Sequence, residues 1–90
     1  MVNRADVYAA IDTERNYQEQ KGKELGWGAG QGASNHSIGD FLTLLRVYVG
    51  RADDAYANTV GDAEVLNVIR KIAGICVAGM ERHGAPPRKV

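Results

Sequence analysis

The chain is poor in cysteine, with Cys76 as the only one among 90 residues, so no disulfide can form within it. A chain of this length makes one small domain, whose hydrophobic core is marginal unless association with other chains extends it. Cys76 lies in the most apolar stretch, where nothing stabilises a thiolate, so we expect a buried structural thiol. The shortage of cysteine favours a cytosolic protein.

The sequence also lacks an excess of charge and a long hydrophobic run. Eleven Lys and Arg residues balance eleven Asp and Glu residues, which argues against a general DNA- or RNA-binding protein, because such proteins are usually basic. Any basic site must therefore be local. The first residues contain no apolar segment typical of a signal peptide, and the longest uncharged run is shorter than the ~20 residues of a membrane span. We expect a soluble protein.

The most apolar element is an uncharged stretch of nine residues, Ile72–Met80. As a helix it is apolar on nearly all sides, which is typical of a central element. Two short neighbouring helices give it too little cover, so we expect a second chain to pack on it. Apolar residues precede it, and small residues within it let other backbones approach: Val65, Leu66, Val68 and Ile69 before it, and Ala73, Gly74, Ala78 and Gly79 within it.

The spacing of apolar residues predicts three helices, at about residues 3–21, 37–57 and 62–83, and no strand. Their expected ends are marked by cap residues: Asn3 and Gly22 for the first helix, Ser37 with Asp40 for the second, Asp62 and Gly84 for the third. The short turn between the second and third helices predicts an antiparallel hairpin. The fold class is therefore a single all-α domain over residues 1–90, a three-helix chain completed into a helical bundle by oligomerisation.

The core-facing line of the first helix turns from apolar to polar along its length. Glu14, Gln18 and Lys21 continue the line that Val7 and Ile11 begin. Either these polar side chains point into the end of the bundle or a pocket between chains, or the helix simply runs past the core there. In the second helix, Arg46 lies beside the apolar stripe, whereas Arg51, Asp53 and Asp54 are expected on a solvated face.

A loop with five glycines, residues 22–36, separates the first two helices. Its length indicates a functional or disordered segment. Trp27 either anchors this loop at the edge of the core or offers a flat face to a base. The spacing of Gly28, Gly30 and Gly32 matches neither the dinucleotide-binding fingerprint nor the Walker A motif. His36 directly precedes the second helix, where an anion would sit, or it packs within the loop. His83 is expected to serve the end of the third helix.

Five short motifs, in this order, resemble the small MazG-like proteins of phages and prophages: Glu14–Gln18, His36–Leu42, Ala52–Tyr56, Ile69–Ala73 and Met80–Gly84. The resemblance implies an all-α pyrophosphohydrolase-type fold that forms a dimer or higher oligomer in the cytoplasm of a bacterial host cell. It also implies nucleotide sites between helices. Active members of that superfamily hydrolyse nucleoside triphosphates to monophosphate and pyrophosphate, with Mg²⁺ held by paired acidic residues on two facing helices.

The sequence departs from the acidic pattern of those enzymes. Glu14 is followed by Tyr17 three positions on and Gln18 four positions on, where a second carboxylate is needed, and Arg46 occupies the corresponding part of the second helix. We therefore expect no catalytic residue, no metal and no cofactor. Were the protein an enzyme after all, Glu14 would be the acid and Mg²⁺ the cofactor.

Basic and aromatic residues remain where the acids are missing, and they predict a site for a phosphate-bearing ligand. The functional prediction is a non-catalytic phage-type nucleotide-binding protein that sequesters a second messenger of bacterial antiviral defence, either a cyclic dinucleotide or an ADP-ribose-derived signal. The alternatives are a Mg²⁺-dependent nucleoside triphosphate pyrophosphohydrolase and a structural or protein-partner module. The candidate ligand-binding residues are Arg15, Tyr17, Gln18, Lys21, Trp27, His36, Ser37 and Arg46, with Tyr48 as another surface for a base.

Overall fold

The computed structural model describes residues 1–24 and 36–89 of the chain. Three α-helices account for most of these residues: α1 spans Arg4–Glu24, α2 spans Ile38–Asn58 and α3 spans Ala63–His83. Within the described residues there is no strand. The predicted all-α fold with three helices is confirmed. None of the described helices combines the length and the apolar character that crossing a bilayer requires.

The first helix begins as predicted but ends later. The Asn3 side-chain oxygen accepts a hydrogen bond from the backbone N–H of Asp6, at 2.9 Å, which is the expected cap. The predicted stop at Gly22 is wrong, because α1 continues through Gly22 to Glu24. A glycine permits the left-handed cap conformation without requiring it, and the lysine and glutamate residues that follow favour helix.

Capping chemistry sets the ends of the other two helices. The Ser37 hydroxyl accepts from the Asp40 backbone N–H at 3.1 Å, and the Asp40 carboxylate accepts from the Ser37 N–H at 2.9 Å, so the predicted capping box is confirmed. Asp62 is the N-cap residue of α3, but its side chain makes no capping hydrogen bond. Gly84 ends α3 at a φ of 121°, a conformation that glycine adopts readily.

The central element of the fold is α3, which packs against both α1 and α2. Within the described residues, α1 and α2 make no contact with each other, so the three helices form an open layer in which α3 is the middle member. Near the start of α2, the Phe41 ring lies against Gly79 near the end of α3, at a distance of 3.4 Å from an ideal glycine Cβ position. This contact confirms the predicted antiparallel α2–α3 hairpin and the central place of the third helix.

The hydrophobic core of this layer is small. Phe41 and Ile75 are the only hydrophobic side chains buried below the surface among the described residues, and no side chain there is completely buried. Many large hydrophobic side chains remain exposed on α2 and α3. The side chains of α2 that turn toward α3 are Phe41, Leu45, Tyr48, Ala52 and Ala55. The apolar surface of α2 is thus wider than α3 can cover, and the predicted oligomerisation stays a prediction.

Candidate functional site

The interface between α1 and α3 is polar and is centred on one buried carboxylate. Glu14 is only 6% exposed, and its Oε1 accepts a hydrogen bond from Arg70 Nε at 2.9 Å. Its other oxygen accepts from Gln18 Nε2 at 3.3 Å. Arg70 also donates through Nη1 to the side-chain oxygen of Asn67, at 2.8 Å. A buried carboxylate needs such partners because removal from water is costly, and here the Arg70 guanidinium balances its charge.

Gln18 joins this carboxylate to the backbone of α3. Its Nε2 also donates to the Lys71 carbonyl oxygen at 3.2 Å. The amide lies so close to α3 that a Cβ on Gly74 would be 2.8 Å from Gln18 Nε2. Within this chain, Gly74 therefore admits a side chain, rather than the second backbone that the sequence led us to expect. At Glu14 and Gln18 the polar line of α1 points into the bundle, because both side chains contact α3. The helix therefore does not run past the core at these two residues.

A second ion pair links α1 to the last turn of α3. Arg15 Nε lies 2.7 Å from Glu81 Oε1, and Arg15 Nη2 donates to Glu81 Oε2 at 3.5 Å. On its own helix, Arg15 Nη2 lies 3.9 Å from Glu19 Oε2. The Arg15 side chain is mostly buried, whereas that of Glu81 is half exposed. The candidate ligand residue Arg15 is thus held in place by an acid that solvent, or a soluble anion, can reach.

The start of α2 is fastened to the same turn of α3. His83 Nε2 donates to the His36 carbonyl oxygen at 2.9 Å. The Phe41 ring meets both imidazoles edge to face, with ring centroids 5.9 Å apart in each case. His83 therefore fastens the last turn of α3 to the segment before α2. Its predicted role at the end of its own helix stays a prediction. His36 and Ser37, both exposed, lie at this end of the molecule.

The surroundings of Asp40 shift the pKa of its carboxyl group. The Ser37 backbone N–H, the Ser37 hydroxyl and the nearby His36 charge lower the pKa of Asp40 below its ordinary value of 3.8. The carboxylate of Asp40 is exposed and already occupies the N-terminus of α2 through the Ser37 N–H. The Asp40 carboxylate would therefore repel an anionic ligand at this helix terminus.

The remaining candidate residues lie elsewhere. Tyr17 and Lys21 are exposed and stand one turn apart on α1. Arg46 is on the outer side of α2, where it lines an open groove of about 340 Å³ with Leu42, Leu45 and Val49. Because α1 and α2 do not touch within the described part of the chain, Arg46 is not brought together with the candidates on α1.

Two aromatic candidates have different outcomes. The Tyr48 ring is covered by the Arg51 guanidinium, at 4.6 Å from the ring centroid, so Arg51 stacks on its neighbour instead of extending freely into solvent. Trp27, with most of the glycine-rich loop, lies outside the described residues. The base-stacking prediction for Trp27 therefore stays a prediction.

No metal-binding cluster is present in the parts of the chain that the structure describes. Residues 1–24 and 36–89 contain no group of three or more His, Cys, Asp or Glu side chains placed to hold an ion. Mg²⁺ prefers several hard oxygen ligands, and at Glu14 it would have to displace Arg70. The candidate acid is present, but it is paired with Arg70.

Sequence reasoning assigned no role to Arg70, Asn67 or Glu81, which complete these contacts. One signal was available, because an acidic residue in the last turn of a helix opposes the helix dipole and calls for a basic partner. Glu81 is such a residue, and Arg15 is its partner. The partner of Glu14 had no comparable local signal, since Arg70 is 56 positions away in the chain.

Comparison with known protein families, curated proteins and solved structures finds no match to this chain. Function must therefore be inferred from the residues and their contacts. Four of the five short motifs in the sequence contact one another: Glu14 and Gln18 with Arg70 and Lys71, Arg15 with Glu81, and His36 with His83.

Proposed function

We propose that the protein is a non-catalytic nucleotide-binding protein of the MazG-like type, which sequesters a nucleotide second messenger of bacterial antiviral defence. The observation that carries this proposal is the state of Glu14. Its buried carboxylate is bound by Arg70 and Gln18, and within the described residues no group of three or more His, Cys, Asp or Glu side chains is placed to hold Mg²⁺. Nucleotide binding without hydrolysis needs cations and aromatic surfaces, but it does not need this pair of acids.

Tyr17 and Lys21 on α1 are the residues that best suit a nucleotide. They are four positions apart, so a helix presents them on one face, and both are exposed. An exposed tyrosine ring can stack on a base while an ammonium group one turn away binds phosphate. Trp27 comes three residues after the end of α1 in the sequence and lies outside the described residues; we propose it as a second aromatic group for the ligand.

Arg15 lies two and six residues before Tyr17 and Lys21, hence on a different side of α1, and offers a second, separate cation to a phosphate. Its guanidinium binds the half-exposed carboxylate of Glu81, and a phosphate offers the same arrangement of two acceptor oxygens with more charge. Exchange of Glu81 for phosphate would leave Arg15 paired and release Glu81 to water. Within this proposal the protein is a homo-oligomer in the bacterial cytoplasm, and the ligand is a cyclic dinucleotide or an ADP-ribose-derived signal.

Mg²⁺-dependent hydrolysis of nucleoside triphosphates is the second candidate function. It is favoured by one observation, namely that Glu14 is a buried carboxylate between two helices, as a metal-binding acid would be. Hydrolysis would require Arg70 to release Glu14 and other acids to join it. A protein-partner role is the third candidate, and the exposed hydrophobic surface of α2 and α3 favours it.

The decisive experiment incubates the purified protein with nucleoside triphosphates, cyclic dinucleotides and ADP-ribose-derived nucleotides, with and without Mg²⁺. After filtration, the retained protein is denatured and both fractions are analysed by mass spectrometry. Intact nucleotide in the protein fraction, independent of Mg²⁺, is the expected result. Monophosphate and pyrophosphate formed only with Mg²⁺ would establish the enzyme instead, and retention of no nucleotide would contradict binding.

A matched pair of tyrosines tests the site itself. Tyr17 and Tyr8 lie on the same helix and are nearly equally exposed, at 60% and 63%, but their spacing of nine residues places them on different sides of α1. We expect Tyr17→Ala to lower nucleotide retention at least about tenfold, in line with the loss of one stacked base, and Tyr8→Ala to leave it unchanged. Equal effects of the two substitutions would remove Tyr17 from the site.

A further inference from the structure

The outer side of α2 carries an apolar stripe that no other part of the described chain covers. Leu42, Val49 and Tyr56 recur every seven residues, so they lie along one line of the helix, and all three are exposed. This line lies roughly a quarter of a turn from the residues of α2 that face α3. Leu45 belongs to both surfaces, because it is half-buried and also lines the outer groove with Leu42 and Val49.

A matching stripe follows α3, where Leu66, Ile69 and Met80 are exposed at helical spacing. Gly79 and His83 mark the side of α3 that contacts Phe41 of α2. The α3 stripe lies roughly a quarter of a turn around the helix from that side, in the same rotational sense as the α2 stripe. In an antiparallel pair of right-handed helices, equal rotation from the contact line leads to the same side of the pair. The two stripes therefore form one apolar face of the α2–α3 hairpin.

The edge of this apolar face carries two opposite charges. Arg46 and Asp53 are exposed, seven residues apart, and on the same edge of the α2 stripe. Neither has an ion-pair partner among the described residues, and their separation along the helix is about 10 Å, too far for them to pair with each other. Val49 lies almost midway between them.

This order of charges is self-complementary under a two-fold axis across the helix. When two copies of α2 pack antiparallel with the axis near Val49, residue 46 of one copy faces residue 53 of the other. Residues 42 and 56 then face each other in the same way. Two Arg–Asp pairs flank an apolar centre, as an isologous interface requires. A parallel arrangement would place Arg46 and Asp53 on opposite edges and lose both pairs.

The size of the face fits a stable dimer. Two helices of 21 residues present a surface of about 30 Å by about 20 Å, which is on the scale of the roughly 800 Å² that each partner contributes to a standard interface. A second copy also supplies what the chain itself lacks, since the core of the described part buries only Phe41 and Ile75 among hydrophobic side chains.

We infer that this apolar face is the interface of a two-fold symmetric homodimer, in which α2 packs antiparallel on α2 of a second copy and Arg46 pairs with Asp53 of the partner subunit. This assignment takes Arg46 out of the nucleotide site to which its sequence position had suggested it belonged. The inference gives the homo-oligomer of the proposed function a specific interface. It does not depend on nucleotide binding, and the tests of nucleotide binding and of the dimer can fail independently.

Two valines on α2 provide the first test. Val49 and Val47 are exposed to the same degree, at 49% and 48%, but Val49 lies in the stripe and Val47 on the other side of the helix. In sedimentation equilibrium, the unaltered protein is expected at twice the 9.7 kDa mass of one chain. We expect Val49→Lys to raise the dimer dissociation constant at least about a hundredfold because it places two ammonium groups in the apolar centre. Val47→Lys should leave it unchanged.

Charge exchange provides the second test and applies even if Val49→Lys fails to fold. Arg46→Asp and Asp53→Arg each turn both ion pairs of the dimer into like-charge contacts, and each should weaken the dimer about tenfold at low salt. The double variant Arg46→Asp with Asp53→Arg restores both pairs and should restore the dissociation constant. Circular dichroism verifies that each variant is helical.

Three results would overturn the inference. The first is an unaltered protein that stays monomeric at every concentration, which would leave the apolar face to a different partner. The second is equal dissociation by Val47→Lys and Val49→Lys. The third is a double charge variant that is no stronger a dimer than either single variant, because only the two-fold antiparallel arrangement makes the two positions face each other.

Discussion

Arg70 on α3 holds Glu14 on α1, with 2.9 Å between Nε and Oε1, and this ion pair is the best-buried polar contact between the two helices. Glu14 is almost completely buried, whereas Arg70 is about one-third exposed. Solvent therefore reaches the guanidinium of this pair but hardly reaches the carboxylate. Loss of the guanidinium would leave the buried Glu14 carboxylate with only Gln18 as a partner.

The first prediction concerns the stability that this pair provides. We expect Arg70→Ala to lower the free energy of unfolding by about 2–3 kcal/mol, below the cost of breaking a fully buried pair because water reaches Arg70. Glu14→Gln with Arg70→Ala should lose less than Arg70→Ala alone, because no buried charge is then left unpaired. Urea unfolding followed by circular dichroism measures both. A double variant less stable than Arg70→Ala would contradict this account.

A second prediction compares two helical glycines. A Cβ at Gly50 meets nothing within 4 Å, whereas one at Gly74 would press on the Gln18 amide. Gly50→Ala should therefore stabilise the chain by about 0.5–1 kcal/mol through helix propensity. Gly74→Ala should lose that gain, because Gln18 must swing away from the Lys71 carbonyl and from Glu14.

The same comparison has an internal control. In a Gln18→Ala background the obstruction at Gly74 is gone, so Gly74→Ala should become as stabilising as Gly50→Ala. Thermal or urea unfolding of the four variants gives the coupling between positions 18 and 74 directly. Additive effects at these two positions would show that the amide does not limit the space at Gly74.

The third prediction is a dependence of stability on pH through Asp40. The hydrogen bonds from the Ser37 N–H and hydroxyl, with the His36 charge, hold the pKa of Asp40 below 3.8 in the folded chain. A lowered folded pKa means that this stabilisation is fully present above pH 3.8 and is lost as the pH falls through the folded value. Asp40→Asn should remove this part of the acid dependence, as measured by unfolding at a series of pH values. If Asp40→Asn and the unaltered protein lose stability in the same way as the pH falls, the capping box is not the source of the acid dependence.

The fourth prediction concerns the fastening of α2 to the end of α3. His83→Ala removes the hydrogen bond to the His36 carbonyl and one edge-to-face contact with Phe41, and should cost about 1 kcal/mol. His83→Phe keeps the ring and loses only the donor, so it should cost less. Hydrogen exchange should report faster opening at residues 36–41 in His83→Ala. Protection there that equals that of the unaltered protein would mean that His83 does not secure this segment.

The fold was predictable because its determinants are local in sequence. Ser37 and Asp40 are three positions apart and form the capping box, and the short turn before Asp62 requires α2 and α3 to be antiparallel. Gly22 was misinterpreted because a glycine near a helix end is compatible with both stopping and continuing. The local sequence did not reveal that the helix continues to Glu24.

The contacts of the candidate site were much harder to predict. Glu14 and Arg70 are 56 residues apart, and their pairing depends on how α1 crosses α3, which apolar spacing does not determine. The expectation for Gly74 was also wrong, because a small residue on an apolar helix suggests that the backbone of a second helix packs close to it. The structure gives that space to the Gln18 side chain, whose role depends on the same helix crossing.

The polar nature of the α1–α3 interface also has a consequence for the order of assembly. The α2–α3 hairpin joins neighbouring segments and contains Phe41 and Ile75, the buried hydrophobic side chains of the described residues. The α1 side of the α1–α3 interface consists mainly of the charged Glu14 and Arg15 and the amide of Gln18. Such polar groups contribute little to hydrophobic collapse early in folding. In kinetic terms, we expect the hairpin to form first through its local contacts and α1 to dock last, in a step that added salt slows.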